Sequence, residues 1–304
     1  MTNIASHSSF IDDLLLNRQL LIVTGKGGIG KTVVACALAK RARTLGRRVL
    51  VVEQSSVEQI GPLLGIPNVV HEETWIDGLG AANFTAGGNF SDFISKHLMK
   101  SSLLDIVVKN KVVHSFFTAI PGFSELMLLG RIYYAMNLAP KDRPDLIIMD
   151  AYASGHFLSL MTTPEAVLNS GLAGPILQQT SKVRDWLADK TKCGTVYVAV
   201  PEELVVSETL EFLPILVAKS PVSIDALLMN RCLSSSSGVH PSSPAYVFSS
   251  DGAAKQASAL SHCAKSFSGF HGIKNLKMML IPELGSIPEP LDEKTVSDLF
   301  GGVS

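Results

Sequence analysis

Eight residues near the amino terminus, Gly25-Lys26-Gly27-Gly28-Ile29-Gly30-Lys31-Thr32, decide the fold. They match the phosphate-loop pattern G-x-x-x-x-G-K-[ST], in which glycine lets successive backbone amides turn toward phosphate oxygens. Apolar spacing predicts a buried strand before the motif, over 19–24, and a helix after it, over 31–45, with Gly46 as its C-cap. Because the motif requires a strand before it and a helix after it, we expect a phosphate-binding loop here.

The apolar runs on either side of this motif predict a parallel sheet covered on both faces. Continuous apolar stretches over 48–53, 146–150, 195–200, 226–229 and 278–281 are typical of buried strands, and helical spacing separates most of them. Strands that alternate with helices form layered α/β domains. The predicted fold class is therefore α/β, a three-layer P-loop nucleoside triphosphatase with a mostly parallel sheet and a helical insertion.

The insertion is predicted from a change of pattern in the middle of the chain. Apolar residues keep helical spacing from about residue 90 to 138, with a break at Pro121-Gly122. We expect a helical subdomain over 86–140 inserted within a single domain that spans 1–304. The Ser- and Pro-rich stretch over 233–250 resists packing, and we expect a mobile surface loop there.

The composition excludes several classes of protein. Hydrophobic residues make up 46% and charged residues only 17%, so either apolar surface is buried against a subunit or client, or the α/β core is large. The net charge of −1 gives no reason to expect a nucleic-acid partner. The sequence has no clear signal peptide, no apolar run of 18 residues and no CxxC pair among its four cysteines. We expect a cytoplasmic protein without a disulfide framework or zinc site.

Lys26 is a second lysine in the loop, and cradling phosphate within one chain does not require it. It marks the deviant Walker motif of the MinD/ParA proteins, the nitrogenase iron protein and the arsenite-pump ATPases. In that group the equivalent lysine reaches across a dimer and adds positive charge at the partner's transferring phosphoryl group. This resemblance implies a homodimer; the alternative is a solvated loop lysine.

Later motifs narrow the resemblance to the arsenite-pump (ArsA-like) ATPase family, which includes the ATPases that target tail-anchored proteins. Asp150-Ala-Tyr-Ala-Ser-Gly-His156 is similar to the D-x-A-x-x-G-H switch II of that family, and Pro121-Gly122-Phe123-Ser124-Glu125 to its P-G-x-x-E. Weaker matches are Pro201-Glu202-Glu203, Glu208-Thr209, Leu228-Met229-Asn230-Arg231 and Ile281-Pro282-Glu283. The resemblance implies that ATP is bound with Mg²⁺ and hydrolysed to ADP and phosphate, with dimer closure and binding of an anion or client protein.

The phosphate loop and the family resemblance together predict the residues of a nucleotide-binding and catalytic site. The expected nucleotide-binding residues are Gly25, Lys26, Gly27, Gly28, Ile29, Gly30, Lys31, Thr32, Val33, Asn230, Arg231 and Pro282. Thr32 and Asp150 are the expected metal ligands, and the expected catalytic residues are Lys26, Lys31, Asp150 and Glu53. Asp150 ends a buried strand at the sheet edge where ligands bind, although it could instead cap a helix. Asn230 could read the adenine edge or be a buried turn residue.

Two residues of the switch II motif have different expected roles. Gly155 could let a backbone amide sense the γ-phosphate, which would order this segment until hydrolysis releases it. His156 fits a packed or capping residue better than a catalytic one.

The segment after the second strand departs from the family. The family places an Asp-Pro pair there, whose aspartate positions the attacking water, but this chain has Ser55 at the aspartate position. A serine hydroxyl is not a comparable base. Either Glu53 at the strand end or Glu58 on dimer closure takes its place, or hydrolysis is slow and the protein is chiefly a nucleotide-gated binding protein.

Other functions on the same scaffold are less well supported. A small-molecule kinase does not account for Lys26 or the D-x-A-x-x-G-H run, and a partitioning ATPase would need a basic DNA-binding face. Scattered cysteines give no metalloid ligand set. Apolar residues of the insertion could line a client groove or pack in the core.

Overall fold

The fold is a mixed sheet with helices on both faces. The computed structural model describes residues 7–70, 72–84, 122–139, 141–170, 175–233, 244–269, 276–284 and 287–300. The strands of this part of the chain are β1 Leu20–Gly25, β2 Val49–Glu53, β3 Thr74–Ile76, β4 Leu79–Asn83, β5 Leu146–Ala153, β6 Cys193–Ala199, β7 Ser223–Cys232 and β8 Lys277–Pro282. The helices are α1 His7–Asn17, α2 Lys31–Thr44, α3 Ile60–Leu64, α4 Phe123–Met136, α5 Ser154–Leu168, α6 Pro175–Ala188, α7 Glu203–Lys219, α8 Pro244–Gly269 and α9 Glu293–Phe300.

The sheet has the order β3-β4-β2-β5-β1-β6-β7-β8. Its neighbouring strands are parallel except for the antiparallel edge pair β3–β4. The central strands β1, β2 and β6 are buried along their whole length, which explains their continuous apolar sequences. The predicted three-layer α/β fold with a mostly parallel sheet is confirmed.

The sheet places the carboxyl ends of β1, β2 and β5 side by side. Glu53 of β2 is in register with Asp150 of β5, and Val23 of β1 is in register with the same Asp150. The loop after β1 therefore opens at the sheet edge where both acidic residues lie, which is the edge at which ligands bind in folds of this kind.

The first long helix ends one residue earlier than predicted, with Leu45 and not Gly46 as its C-cap. Helix α2 ends at Thr44, and Gly46 follows with φ of 86°. The amide of Gly46 donates to the carbonyl of Arg43 and the amide of Arg47 to that of Ala42. This pair of bonds satisfies the last helical carbonyls, and glycine is the residue that tolerates the left-handed turn they require.

The structure differs from the sequence predictions in two places, and a third prediction lies mostly outside the described residues. The hairpin β3–β4 was not predicted; its turn, Asp77-Gly78, has positive φ at both residues, as a tight two-residue hairpin needs. The predicted loop over 233–250 is wrong for its last residues, because α8 begins at Pro244, and proline is readily accepted in the first helical turn. Most of the predicted subdomain over 86–140 lies outside the described residues, which include α4.

No helix in the described part of the chain has both the length and the apolar character that crossing a bilayer requires.

Candidate functional site

The phosphate loop joins β1 to α2, and its glycines are fixed by close neighbours. A Cβ at Gly25, where φ is 145°, would lie 2.1 Å from the carbonyl oxygen of Val198 on β6. A Cβ at Gly30, where φ is 89°, would lie 2.6 Å from Nδ2 of Asn230 on β7. Residues of β6 and β7 thus leave no room for a side chain at Gly25 or at Gly30.

Lys31, the first residue of α2, lies over the loop. Its Nζ donates to the carbonyl oxygen of Lys26 at 2.9 Å. Burial lowers the pKa of Lys31, and the nearby carboxylate of Asp150 partly offsets this. An ammonium group that donates to a neutral carbonyl can exchange this acceptor for an anion at little cost in free energy.

Asp150 and Thr32 form the candidate metal site. The Thr32 hydroxyl donates to Oδ2 of Asp150 at 2.7 Å. Oδ1 of Asp150 is buried, and no described residue forms a hydrogen bond with it. Burial raises the pKa of Asp150, against the hydrogen bond from Thr32 and the charge of Lys31. The N-cap of α5 is Ala153, so Asp150 does not cap that helix.

An orphaned carboxylate oxygen beside a hydroxyl fits Mg²⁺. This cation commonly takes one or two protein oxygens and fills its other positions with water and substrate phosphates. Among the described residues there is no group of three or more His, Cys, Asp or Glu side chains that could hold a metal. The residues present therefore suit a cation shared with a phosphate ligand better than one held by the protein alone.

Glu53, at the end of β2, is a buried carboxylate that is only 2% exposed. Both of its oxygens accept from the amide of Gln59 at 3.2 Å, and Oε1 also accepts from Nδ2 of Asn83 at 3.3 Å. Burial is the main cause that raises the pKa of Glu53 to about 7; the hydrogen bond from Gln59 lowers it and the charge of Asp150 raises it. A carboxyl group with this pKa can accept a proton near neutral pH.

Ser55 holds the backbone of the segment that follows Glu53. Its hydroxyl accepts from the amide of Val57 at 3.2 Å. The amide of Ser55 donates to Oδ1 of Asn83 at 3.4 Å, and its carbonyl accepts from Nδ2 of Asn83 at 2.8 Å. Glu58 accepts from the amide of Val69 at 3.3 Å. The Ser55 hydroxyl thus serves as an acceptor for the backbone of this segment.

These groups share one cleft of about 720 Å³. Its lining includes Gly28, Gly30, Lys31, Thr32, Val33, Glu53, Ser55, Glu58, Gln59, Asp150, Tyr152 and Arg231. Arg231 has a positive φ of 58°, which non-glycine residues rarely adopt, and its exposed side chain adds a cation to the cleft wall. Most of the predicted site residues are therefore brought together.

Two predicted nucleotide-binding residues, Asn230 and Pro282, are not among the described residues that line this cleft. Asn230 is 8% exposed, and its Nδ2 donates to the carbonyl of Ile29 at 2.8 Å, which braces the loop from β7. Pro282 ends β8, where it is in register with Cys232. Their contact with adenine stays a prediction.

Lys26 lines a different cavity, of about 390 Å³, between the loop and α7. Its Nζ lies 2.6 Å from Oε2 of Glu208. In the same wall, the hydroxyls of Ser154 and Tyr197 are 2.9 Å apart. Of the switch II motif, Gly155 also lines this cavity, and the exposed His156 lies beside the ring of Tyr152.

Sequence reasoning missed the residues that position the predicted ones. Asn83 and Gln59 hold the carboxylate of Glu53, and Glu208 holds Lys26. The Asp77-Gly78 dipeptide is a hairpin-turn signal that could have predicted β4. Asn83 is the polar residue at the end of that strand. Glu208 was noted only within a weak motif match, since pairing with Lys26 depends on where α7 lies.

Comparisons with known proteins agree with this geometry. A family model described as an anion-transporting ATPase matches residues 18–173, just over half of the chain. ATPase BagA of Mycobacterium tuberculosis is 28% identical over 222 residues, which are 70% of this chain and 65% of that protein. The arsenical pump-driving ATPase of Escherichia coli is 31% identical over 153 residues, which are 48% of this chain and 25% of that protein. The chain spans less than two thirds of the length of either relative.

Proposed function

The chain belongs to the anion-transporting ATPase family, and from this premise we propose that it binds ATP with Mg²⁺ and hydrolyses it to ADP and phosphate. The observation that carries the proposal is the part-buried, hydrogen-bonded pair of Thr32 and Asp150 beside the glycine-rich loop. Oδ1 of Asp150 is buried and has no hydrogen-bond partner among the described residues. A desolvated carboxylate oxygen left without a partner is costly unless a ligand uses it.

Binding would use the loop and the start of α2. Backbone amides of the loop and the amino-terminal end of α2 face the phosphates, and Lys31 exchanges the Lys26 carbonyl for phosphate oxygens. Thr32 and Asp150 would hold Mg²⁺, which supplies positive charge to the phosphate oxygens. The strands β6 and β7 keep the loop in shape through the contacts at Gly25 and Gly30.

The proton of the attacking water would go to Glu53. Its carboxyl group lies at the cleft wall next to Asp150 and has a pKa of about 7, so a large fraction can accept a proton at neutral pH. Ser55 has no comparable basicity, and its oxygen already accepts from Val57.

We propose further that the protein acts as a homodimer in which Lys26 completes the partner's site, and that nucleotide state is coupled to closure and to binding of an anion or client protein. Val57 and Leu204 support this, since they follow the carboxyl ends of β2 and β6 and are 67% and 66% exposed. Exposed apolar residues at the nucleotide edge suit a covering subunit. The chain would be one domain over 1–304 with a helical subdomain over 86–140.

A second function is favoured by the residue at position 55. If Glu53 does not act as the base, the protein is a nucleotide-gated binding protein with little hydrolysis. The bonds of Ser55 to Val57 and Asn83 favour this alternative, because they leave the usual aspartate position without a base.

The test compares phosphate release with ATP binding in four proteins: wild type, Lys31→Ala, Asp150→Asn and Lys219→Ala. Lys219 is an exposed lysine in the last turn of α7 and serves as the control. We expect Mg²⁺-dependent phosphate release from wild type and Lys219→Ala, with a loss of roughly 100-fold in Lys31→Ala and Asp150→Asn. ATP-dependent association without phosphate release would favour the binding protein, and no heat of ATP binding by calorimetry would contradict both.

A further inference from the structure

The side chain of Lys26 is bonded within its own subunit. Its ammonium group lies 2.6 Å from the Glu208 carboxylate in the second turn of α7, and the two side chains are 42% and 48% exposed. Both residues line the cavity between the loop and α7, whereas Thr32 and Asp150 line the 720 Å³ cleft. The ion pair thus links the loop to α7 on a different side from the candidate metal site.

We propose that Glu208 is a positioning residue that holds Lys26 on its own subunit, and that this contact breaks before Lys26 reaches the nucleotide of a second copy. The role of Glu208 rests on the role in trans proposed above for Lys26. One ammonium group cannot stay 2.6 Å from Glu208 and also extend to a partner, so the two contacts compete.

The backbone of Lys26 is engaged as well. Its carbonyl accepts from Nζ of Lys31 at 2.9 Å. When Lys31 turns to phosphate, this bond is lost, and residue 26 loses a contact that holds its backbone. Nucleotide binding in the cleft therefore removes the hydrogen bond to the backbone carbonyl of Lys26. The Glu208 carboxylate still holds the ammonium group of Lys26 and opposes its movement toward a partner.

The face of α7 around Glu208 is suited to contact with another copy. Leu204, Glu208, Glu211 and Ile215 recur at spacings of four, three and four residues, so they share one face of the helix. Leu204 is 66% exposed and Ile215 is 44% exposed, on either side of the ion pair. A copy covering this face would remove water from the pair, which costs free energy unless Lys26 finds a stronger anion. A triphosphate is such an anion.

The expected effect of Glu208 on dimerisation follows from the exposure of its ion pair with Lys26. An ion pair that is about half exposed changes an equilibrium constant by a factor of about two to five. Closing a symmetric dimer breaks two such pairs, so the factor is squared, to about 4-fold to 25-fold in the dimer dissociation constant. Glu208 is therefore expected to shift the equilibrium between Lys26 bound to Glu208 and Lys26 bound at the partner's nucleotide. It is not expected to prevent the dimer from closing.

The experiment measures dimer dissociation constants by sedimentation velocity of the full chain, with Mg²⁺ and a slowly hydrolysed ATP analogue. Glu208→Gln keeps the shape of the side chain and removes its charge, and Glu211→Gln is the matched control on the same helix face. We expect Glu208→Gln to dimerise about 4-fold to 25-fold more tightly than wild type and Glu211→Gln to match wild type. The difference should shrink in high salt, because salt screens exposed pairs.

Two further proteins, Lys26→Ala and the double variant Lys26→Ala with Glu208→Gln, test whether Glu208 acts through Lys26. In the Lys26→Ala background, adding Glu208→Gln should leave self-association unchanged, which a merely structural role of Glu208 would not predict. If Glu208→Gln matched Glu211→Gln while Lys26→Ala abolished association, the positioning role would be wrong and the role of Lys26 in trans would stand. Absence of nucleotide-dependent association in wild type and Glu208→Gln would overturn both.

Discussion

The two sides of the phosphate loop differ in how far water reaches them. On the cleft side, Glu53 is 2% exposed, and Oδ1 of Asp150 is buried without a hydrogen-bond partner in the part of the chain that the structure describes. Burial raises the pKa of both carboxyl groups. On the α7 side, Lys26 and Glu208 form an ion pair that is nearly half exposed. The phosphate loop therefore lies between two largely desolvated carboxyl groups on one side and a half-exposed ion pair on the other.

This difference predicts where substitutions have large effects. A change on the buried side should alter the free energy of unfolding or the chemistry, because packed atoms and desolvated charges have no alternative partner. A change on the exposed side should alter only an association constant, as for Glu208. The predictions below run from the largest expected effect to the smallest.

Gly25→Ala should have the largest effect. Its Cβ would lie 2.1 Å from the Val198 carbonyl at a φ of 145°, so backbone strain and overlap add, and we expect a loss of about 3 kcal/mol or more in the free energy of unfolding. Gly27→Ala is the matched control, since a Cβ there would have no atom of the described residues within 4 Å. Chemical denaturation of both variants measures the difference. Equal losses would mean that β6 does not pin the loop.

Glu53→Gln should stabilise the protein in a pH-dependent way. The pKa of Glu53 rises on folding from the ordinary 4.5 to about 7, so its favourable contribution is complete below about pH 4.5 and is lost as pH rises through 7. Relative to wild type, the neutral glutamine should therefore gain up to about 3 kcal/mol in unfolding free energy at pH 8 and little at pH 4.5.

The measurement is denaturation of Glu53→Gln across pH 4.5–8 without nucleotide or Mg²⁺, with the exposed Glu211→Gln as control. A gain that does not vary with pH would show that packing, and not the charge of Glu53, causes it. The same variant should lose phosphate release if Glu53 accepts the proton of water, so stability and catalysis should change in opposite directions.

Much of the fold could be predicted from the sequence because its signals are local. The buried strands β1, β2 and β5 are continuous apolar runs, and the loop motif fixes what joins β1 to α2. The strand β4, Leu79–Asn83, was missed because small residues carry little apolar signal, and β3, Thr74–Ile76, is only three residues long. Residue 244 was placed in a loop because composition outweighed the preference of proline for a first helical turn.

The position of a candidate-site residue was predictable where a local motif or the end of a strand marks it. Lys31 and Thr32 came from the loop and Asp150 from the end of a strand. Asn83, however, reaches Glu53 from a strand 30 residues further along the chain, and Glu208 reaches Lys26 from a helix beyond 180 residues of sequence. Such contacts depend on how the strands and helices pack against one another. The spacing of residues within one segment of sequence does not determine this packing.

Asn230→Ala has the smallest expected effect, and it separates two roles for this residue. Its Nδ2 donates to the Ile29 carbonyl at 2.8 Å, so alanine removes one brace and leaves that carbonyl without its donor, at a cost of about 1 kcal/mol. If bracing is its role, affinity for ATP and for GTP, measured by calorimetry, should fall equally, by about fivefold, because both carry the same triphosphate. If the amide reads adenine, the loss should fall on ATP alone. Since Asn230 is 8% exposed and its nitrogen already has an acceptor, we expect the equal loss.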